Sequence, residues 1–215
     1  MLRPRLAAVV ALAIAAASPL RAQYMPVGPQ TNVALSTIVS GGWTQCYVSA
    51  FGTPIGSSAE HVLSSCTGDY LMMAGRETGS STIMLLASGL TSDVTANTGA
   101  YTSNTHAVNG AQWYFSSEWS WGFAPIGASV SLNSCDVAWG GGRLCLHTLD
   151  WTGGYRIGEI TGLNGSSSYE KVFFERADIT STNTTTPEPA SWALMGTGLL
   201  AIGAAARRRR SARGG

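Results

Sequence analysis

Two long, largely apolar runs lie near the ends of the chain, Leu6–Ala17 and Ala190–Ala206, and each adjoins arginines. Between them the apolar residues come in short stretches separated by Gly, Ser, Thr and Asn. Short apolar or alternating stretches bounded by turn formers predict strands, because a helix needs a longer stripe recurring every three to four residues. Tyr70–Glu77 and Thr82–Gly89, joined by Thr-Gly-Ser-Ser, read as a hairpin of two largely buried strands. Arg143–Leu149, Gly154–Ile160 and Tyr169–Ala177 predict three more strands, and Ala111–Ser117 a further one. One segment has a helical signature. In Ser57–Cys66 either Ser57 or Ser58 is placed to cap, with Ala59, Val62, Leu63 and Cys66 on one inner face. Six or more short strands with Gly-rich turns predict a mainly β fold. An antiparallel β-sandwich and a jelly-roll-like domain with one short helix both fit.

The terminal runs set the organisation. Arg3 and Arg5, the apolar Leu6–Ala17 and the small Ala22 have the order of a signal peptide, expected over residues 1–22. Twelve apolar residues fall short of the roughly 20 that span a bilayer, which favours removal by signal peptidase after passage through the general secretion machinery. A short extension, 23–38, then leads into a β domain over 39–179 and a Thr/Ser-rich linker over 180–186. The last segment, 187–215, holds Pro187-Glu188-Pro189, an apolar stretch that reads as a transmembrane helix, and the arginines Arg207, Arg208, Arg209 and Arg210. Seventeen helical residues reach about 25 Å against a hydrocarbon core of roughly 30 Å, a marginal span. Gly196, Gly198 and Gly203 weaken it further. The arginines act as a cytoplasmic stop, which places the middle of the chain on the far side of the membrane.

The overall charge of +1 conceals this division. Between Gln23 and Thr186 five basic residues face eleven acidic ones, a net of −6. An acidic domain without a Lys/Arg cluster excludes nucleic acid as a partner. Export also gives the four cysteines a meaning, since disulfides persist outside the cytoplasm. Four cysteines allow three pairings. Cys46–Cys66 and Cys135–Cys145 are favoured because sequence neighbours close short loops with least demand on the fold. Each bridge is worth roughly 2–4 kcal/mol.

Candidate chemistry is sparse. Trp113–Gly127 holds six aromatic residues, with Glu118 beside Trp119 and Trp121. Two readings stay open. Strand alternation puts Trp119, Trp121 and Phe123 on one face, where they would be core. Exposed, the rings of Tyr114, Trp119 and Trp121 would instead stack on the apolar faces of sugars. Asp69, Glu118 and Asp136 are imaginable acids for glycoside hydrolysis, but no spacing pairs them as that chemistry requires. His61, His106 and His147 stand apart from one another, and no zinc, calcium or phosphate-binding motif occurs. No catalytic residue, metal or cofactor is therefore expected.

The C-terminal layout resembles the PEP-CTERM sorting signal of Gram-negative bacteria that make exopolysaccharide. Its carriers here are Pro187-Glu188-Pro189, Ala190–Ala206 and Arg207–Arg210. The resemblance implies an inner-membrane-tethered precursor, cut near Pro-Glu-Pro by an exosortase, a membrane protease, and released to the cell surface or extracellular matrix. The middle is similar to uncharacterised extracellular Cys/Trp-rich domains through Cys66–Tyr70, Trp119–Pro125, Cys135-Asp136, Leu144–Thr148 and Thr161–Asn164. That resemblance implies no activity. The expected function is a non-enzymatic exported surface or matrix protein with exopolysaccharide as its partner. The alternative is a secreted glycan-acting hydrolase.

Overall fold

The computed structural model describes residues 23–132 and 135–177. Ten strands form two five-stranded sheets in which every neighbouring pair is antiparallel. The first sheet contains β1 (Gln30–Ala34), β2 (Thr44–Ala50), β3 (Tyr70–Glu77), β4 (Thr82–Leu90) and β10 (Tyr169–Arg176), in the order β1-β4-β3-β10-β2. The second is a meander of consecutive strands: β5 (His106–Val108), β6 (Ala111–Phe115), β7 (Ser120–Pro125), β8 (Leu144–Leu149) and β9 (Thr152–Ile157).

The sheets face each other across one shared core. Leu71, Met73, Leu85, Ala87 and Phe173 come from the first sheet, and Trp113, Phe115, Trp121, Phe123, Leu144 and Leu146 from the second. Trp121 and Phe173 lie with ring centroids 5.2 Å apart. Each sheet is also covered on its outer face. Ile38 and Trp43 close over Met72, Ala74, Ile83, Leu86, Val172 and Phe174 of the first sheet. Val130 and Cys135 close over Tyr114, Ala124 and Cys145 of the second. A strand buried on both faces loses its polar alternation. This is why Leu71 to Arg76 are buried without a break.

The β3–β4 hairpin falls where the sequence predicts it, and the strands expected near 111, 143, 154 and 169 are all present. The predicted helix is different. A 3₁₀ turn at Ser57–Ala59 precedes a four-residue helix, α2 (Glu60–Leu63), and Ser58 and Ala59 both have positive φ, which interrupts the helical path. Neither serine side chain caps it. The Ser57 amide instead donates to the Asp150 carboxylate at 2.9 Å. Ala59, Val62 and Cys66 are buried as expected, while Leu63 is half-buried. Two other short helices were not legible: α1 (Leu35–Ser40) and α3 (Thr91–Val94). Residues 23–38, read as an extension ahead of the domain, supply β1 and the start of α1 to the same fold. Among the described residues no helix is long and apolar enough to cross a membrane, and the signal and C-terminal spans fall outside them.

Both favoured disulfides are present. Cys46–Cys66 ties β2 to the end of the α2 segment, and Cys135–Cys145 ties the long β7–β8 connection to β8. Among the described residues all three apolar clusters and both bridges close within residues 24–176, so the segment 23–177 carries a core and two disulfides of its own.

Lys171 on the inner strand β10 is fully buried. Its ammonium donates to the carbonyls of Ala50, Phe51 and Thr53 at 2.8, 2.9 and 2.5 Å, using all three donors. These contacts pin the corner after β2 against the end of β9, where Gly154 donates its amide to the Phe51 carbonyl at 2.6 Å. A Cβ at Gly154 would stand 2.2 Å from the Phe51 ring, so only glycine admits this approach. Burial pushes the Lys171 ammonium down to about 7 from its ordinary 10.5. Between those values the unfolded chain holds a proton that the folded chain has lost, so stability rises with pH across that window and is flat below it. Denaturant titrations at several pH values should show this rise in the wild type and not in Lys171→Met. Parallel curves for the two proteins would show that the ammonium keeps its ordinary affinity for the proton.

Candidate functional site

The aromatic residues proposed from the sequence as glycan contacts divide in the structure. Trp121 is 0% exposed, and its indole N–H donates to the Val94 carbonyl at 2.8 Å. Tyr114 is 1% exposed beneath the outer cluster of the second sheet, where its hydroxyl donates to the Leu144 carbonyl at 3.2 Å. Burial raises the Tyr114 phenol well above its usual range, which keeps the hydroxyl protonated as a donor. Neither ring has a face open to a sugar. Trp119 is half-buried in the turn before β7, with the exposed Tyr101 ring 3.8 Å away, centroid to centroid. The core reading therefore describes Trp121 and Phe123, and Trp119 lies just outside their strand.

The imaginable acids are not gathered either. Glu118 is exposed in the turn that opens β7. Asp136 is 0% exposed beside Arg143, just ahead of β8, whose first residue pairs with Phe123 near the far end of β7. Among the described residues no three His, Cys, Asp or Glu side chains come together as a metal site.

Asp136 belongs to a buried framework that shapes the connection between β7 and β8. Its Oδ1 accepts the amides of Ser131 and Ala138 at 3.1 and 3.0 Å, and its Oδ2 pairs with Arg143 at 2.6 Å. From β9, Arg156 reaches the same loop. Its Nη1 donates to the carbonyls of Asp136 and Ala138 at 3.1 and 2.6 Å. Its Nη2 donates to those of Gly140 and Gly158 at 3.0 and 2.6 Å, and its Nε to Gly158 at 2.9 Å. All five guanidinium N–H donors are thereby satisfied by backbone. The Cys135–Cys145 bridge closes the loop from below.

The centre of this fastened loop is Trp139, and it is 90% exposed. Trp139 borders a pocket of about 200 Å³ whose other walls include Tyr155, Arg156, Glu159 and Thr161. Typical small-molecule sites are about 300–1,000 Å³, so this recess fits one small ring or a chain unit rather than an enclosed ligand. Tyr155, which is half-buried, and Glu159 and Thr161, which are exposed, are the polar residues of the same walls beside Arg156. Trp151, 78% exposed in the β8–β9 turn, is a second open indole.

Sequence reasoning passed over Trp139. The available signal was its setting, Ala-Trp-Gly-Gly-Gly at the middle of the ten-residue span from Cys135 to Cys145. A bridged, glycine-flanked loop holds a side chain outward, because glycines take conformations that leave no neighbouring side chain to cover it. Gly140 and Gly142 both have positive φ here.

Residues 185–210 match the PEP-CTERM protein-sorting motif. The chain carries an exosortase address. PEP-CTERM processing makes it an exported protein, held as a membrane-anchored precursor and delivered to the cell surface by an exosortase system of the membrane-protease type. The match contains Pro187, Glu188, Pro189 and Arg207 to Arg210, all of which lie outside the described residues. No curated protein and no solved structure matches the chain. The match leaves out the folded domain, whose function has to be argued from its own geometry.

Proposed function

We propose that the folded domain is a non-enzymatic polysaccharide-binding module, which the sorting signal delivers to the surface and extracellular matrix after exosortase cleavage near Pro187-Glu188-Pro189. The observation that carries this reading is the pairing of a rigid loop with an uncovered tip. A disulfide, a buried Asp136–Arg143 pair and three hydrogen bonds from Arg156 fix the loop around Trp139, whose indole contributes almost nothing to the core. Exposed single apolar residues are common and need no explanation. A preorganised one bordering a polar-walled pocket is suited to a ligand, because its rotamer and backbone entropy are lost on folding rather than on binding. An indole offers the flat apolar face on which a pyranose ring stacks, and Glu159 and Thr161 offer partners for its hydroxyls.

Hydrolysis would need two carboxyls about 5–10 Å apart flanking a bond. The pocket walls include one carboxylate, that of Glu159. Binding without turnover is the reading this supports.

Trp139→Ala should abolish retention of residues 23–177 on immobilised polysaccharide while leaving the melting temperature within about 2 °C, since an exposed replacement costs at most about 0.5 kcal/mol. Affinity electrophoresis and thermal scans measure both. Unchanged retention would refute the site, and release of reducing ends by the wild type would replace binding with catalysis.

A further inference from the structure

The domain has five Lys and Arg residues between 23 and 177, and every one of them is withdrawn from solvent. Arg76 is paired with Glu170 at 2.5 Å, and Arg143 with Asp136. Arg156 and Lys171 are saturated by backbone carbonyls. Arg176 lies against the Met25 sulfur at 3.2 Å. None is more than 8% exposed. The acids are distributed in the opposite way: Glu60, Asp69, Glu77, Glu118, Asp150 and Glu159 are all exposed. The exposed histidines His61 and His106 each lie beside an acid, Glu60 and Asp93. The surface therefore presents negative charge with no Lys or Arg to offset it, and its potential repels anions while attracting cations.

The same asymmetry holds inside the pocket. Its one cation, Arg156, has no N–H left for a ligand, so a carboxylate or sulfate entering beside Trp139 would meet no donor of opposite charge. The other charged group of the walls is Glu159, which is exposed. Its carboxylate lies against the loop that carries the indole, since a Cβ at Gly141 would be 3.9 Å from its Oε1. A sugar stacked on Trp139 thus places a substituent near a carboxylate, and a protonated amine is the substituent that gains most there.

We infer that the ligand class of this pocket is a glycan bearing free amino groups, a hexosamine polymer at least partly without N-acetyl groups, and that uronate or sulfated polymers are excluded. The inference rests on the polysaccharide-binding reading above and adds the charge of the ligand to it. Stacking on Trp139 supplies the contact common to all pyranoses, Glu159 supplies the preference for the ammonium, and the surrounding negative surface speeds the approach of such chains and slows that of acidic ones.

Calorimetric titration of residues 23–177 with four short oligosaccharides of equal length tests this: glucosamine, N-acetylglucosamine, glucose and glucuronate tetramers. Short chains limit attraction by charge alone, and the Trp139→Ala variant, which keeps every surface charge, removes what remains of that ambiguity. The glucosamine tetramer should bind about fivefold tighter than its N-acetylated counterpart, the fold-change of one exposed ion pair, and the glucuronate tetramer weakest. Glu159→Gln should bring the glucosamine and N-acetylglucosamine affinities together, and Trp139→Ala should abolish binding of all four. A glucosamine preference that survives Glu159→Gln, or glucuronate binding as tight as glucosamine, overturns the inference. Equal, Trp139-dependent binding of all four tetramers overturns it too but leaves the polysaccharide reading standing. Binding of none by the wild type removes both.

Discussion

Replacing Trp121 by alanine should lower the stability of the domain by about 3–5 kcal/mol, the range for truncating a large buried aromatic. The ring is wholly enclosed between the sheets, 5.2 Å from Phe173 of the first sheet and 5.6 Å from Phe115 of its own. It also joins the two sheets to α3 through its indole bond to the Val94 carbonyl. Removing it leaves a cavity in the shared core, which relaxation fills only in part because strands anchored on both faces cannot collapse inward. Trp121→Phe keeps most of the apolar area and loses the hydrogen bond, so its cost should be nearer 1–2 kcal/mol. Urea unfolding of residues 23–177 measures both. A loss below 1 kcal/mol for the alanine variant would mean that the ring is not part of the core.

Asp136→Asn should be comparably damaging. The change removes one charge from a pair in which Arg143 is 4% exposed, leaving its guanidinium buried beside a neutral amide. Breaking such a pair costs about 3–5 kcal/mol, because the remaining charge can neither reach water nor neutralise. The damage should extend outward. The Oδ1 that accepts the amides of Ser131 and Ala138 fixes the strand of loop leading into Trp139, so polysaccharide retention should fall with stability in this variant, whereas Trp139→Ala separates the two. The comparison also bears on the hydrolase alternative. An Asp136 that acted as an acid on substrate would, when changed to asparagine, lose turnover and keep its melting temperature. A variant with unaltered unfolding would show that the Asp136–Arg143 pair does not hold the loop.

The elements that could be read in advance share a physical character. β3 and β4 are joined by a four-residue turn and make their contacts with each other, so local pattern and tertiary pairing agree. The two disulfides link sequence neighbours for the same reason. β1 and β2 were missed because they are edge strands whose residues are mostly exposed or half-buried, and their pairing partners lie far along the chain, in β4 and β10. The broken helix at Ser57 follows from a distant partner as well, since Asp150 takes the amide that a helical cap would have held.

By itself the sequence determined that the protein is exported and sorted and that its middle is built of strands, and it favoured, among three pairings, the one that joins neighbouring cysteines. These properties rest on composition and local order, which a sorting apparatus or a short loop reads directly from the chain. What only the tertiary structure decided is illustrated by two tryptophans. Trp121 and Trp139 are each followed by glycine, the first among other aromatic residues and the second in a glycine run. Pairing of β7 between β6 and β8 turns the first into the centre of the core. A disulfide, Asp136 and Arg156, brought together from β8, β9 and the loop, hold the second out in water. Burial is a property of what packs over a residue, and here the residues that do so, or that hold the space open, come from other strands.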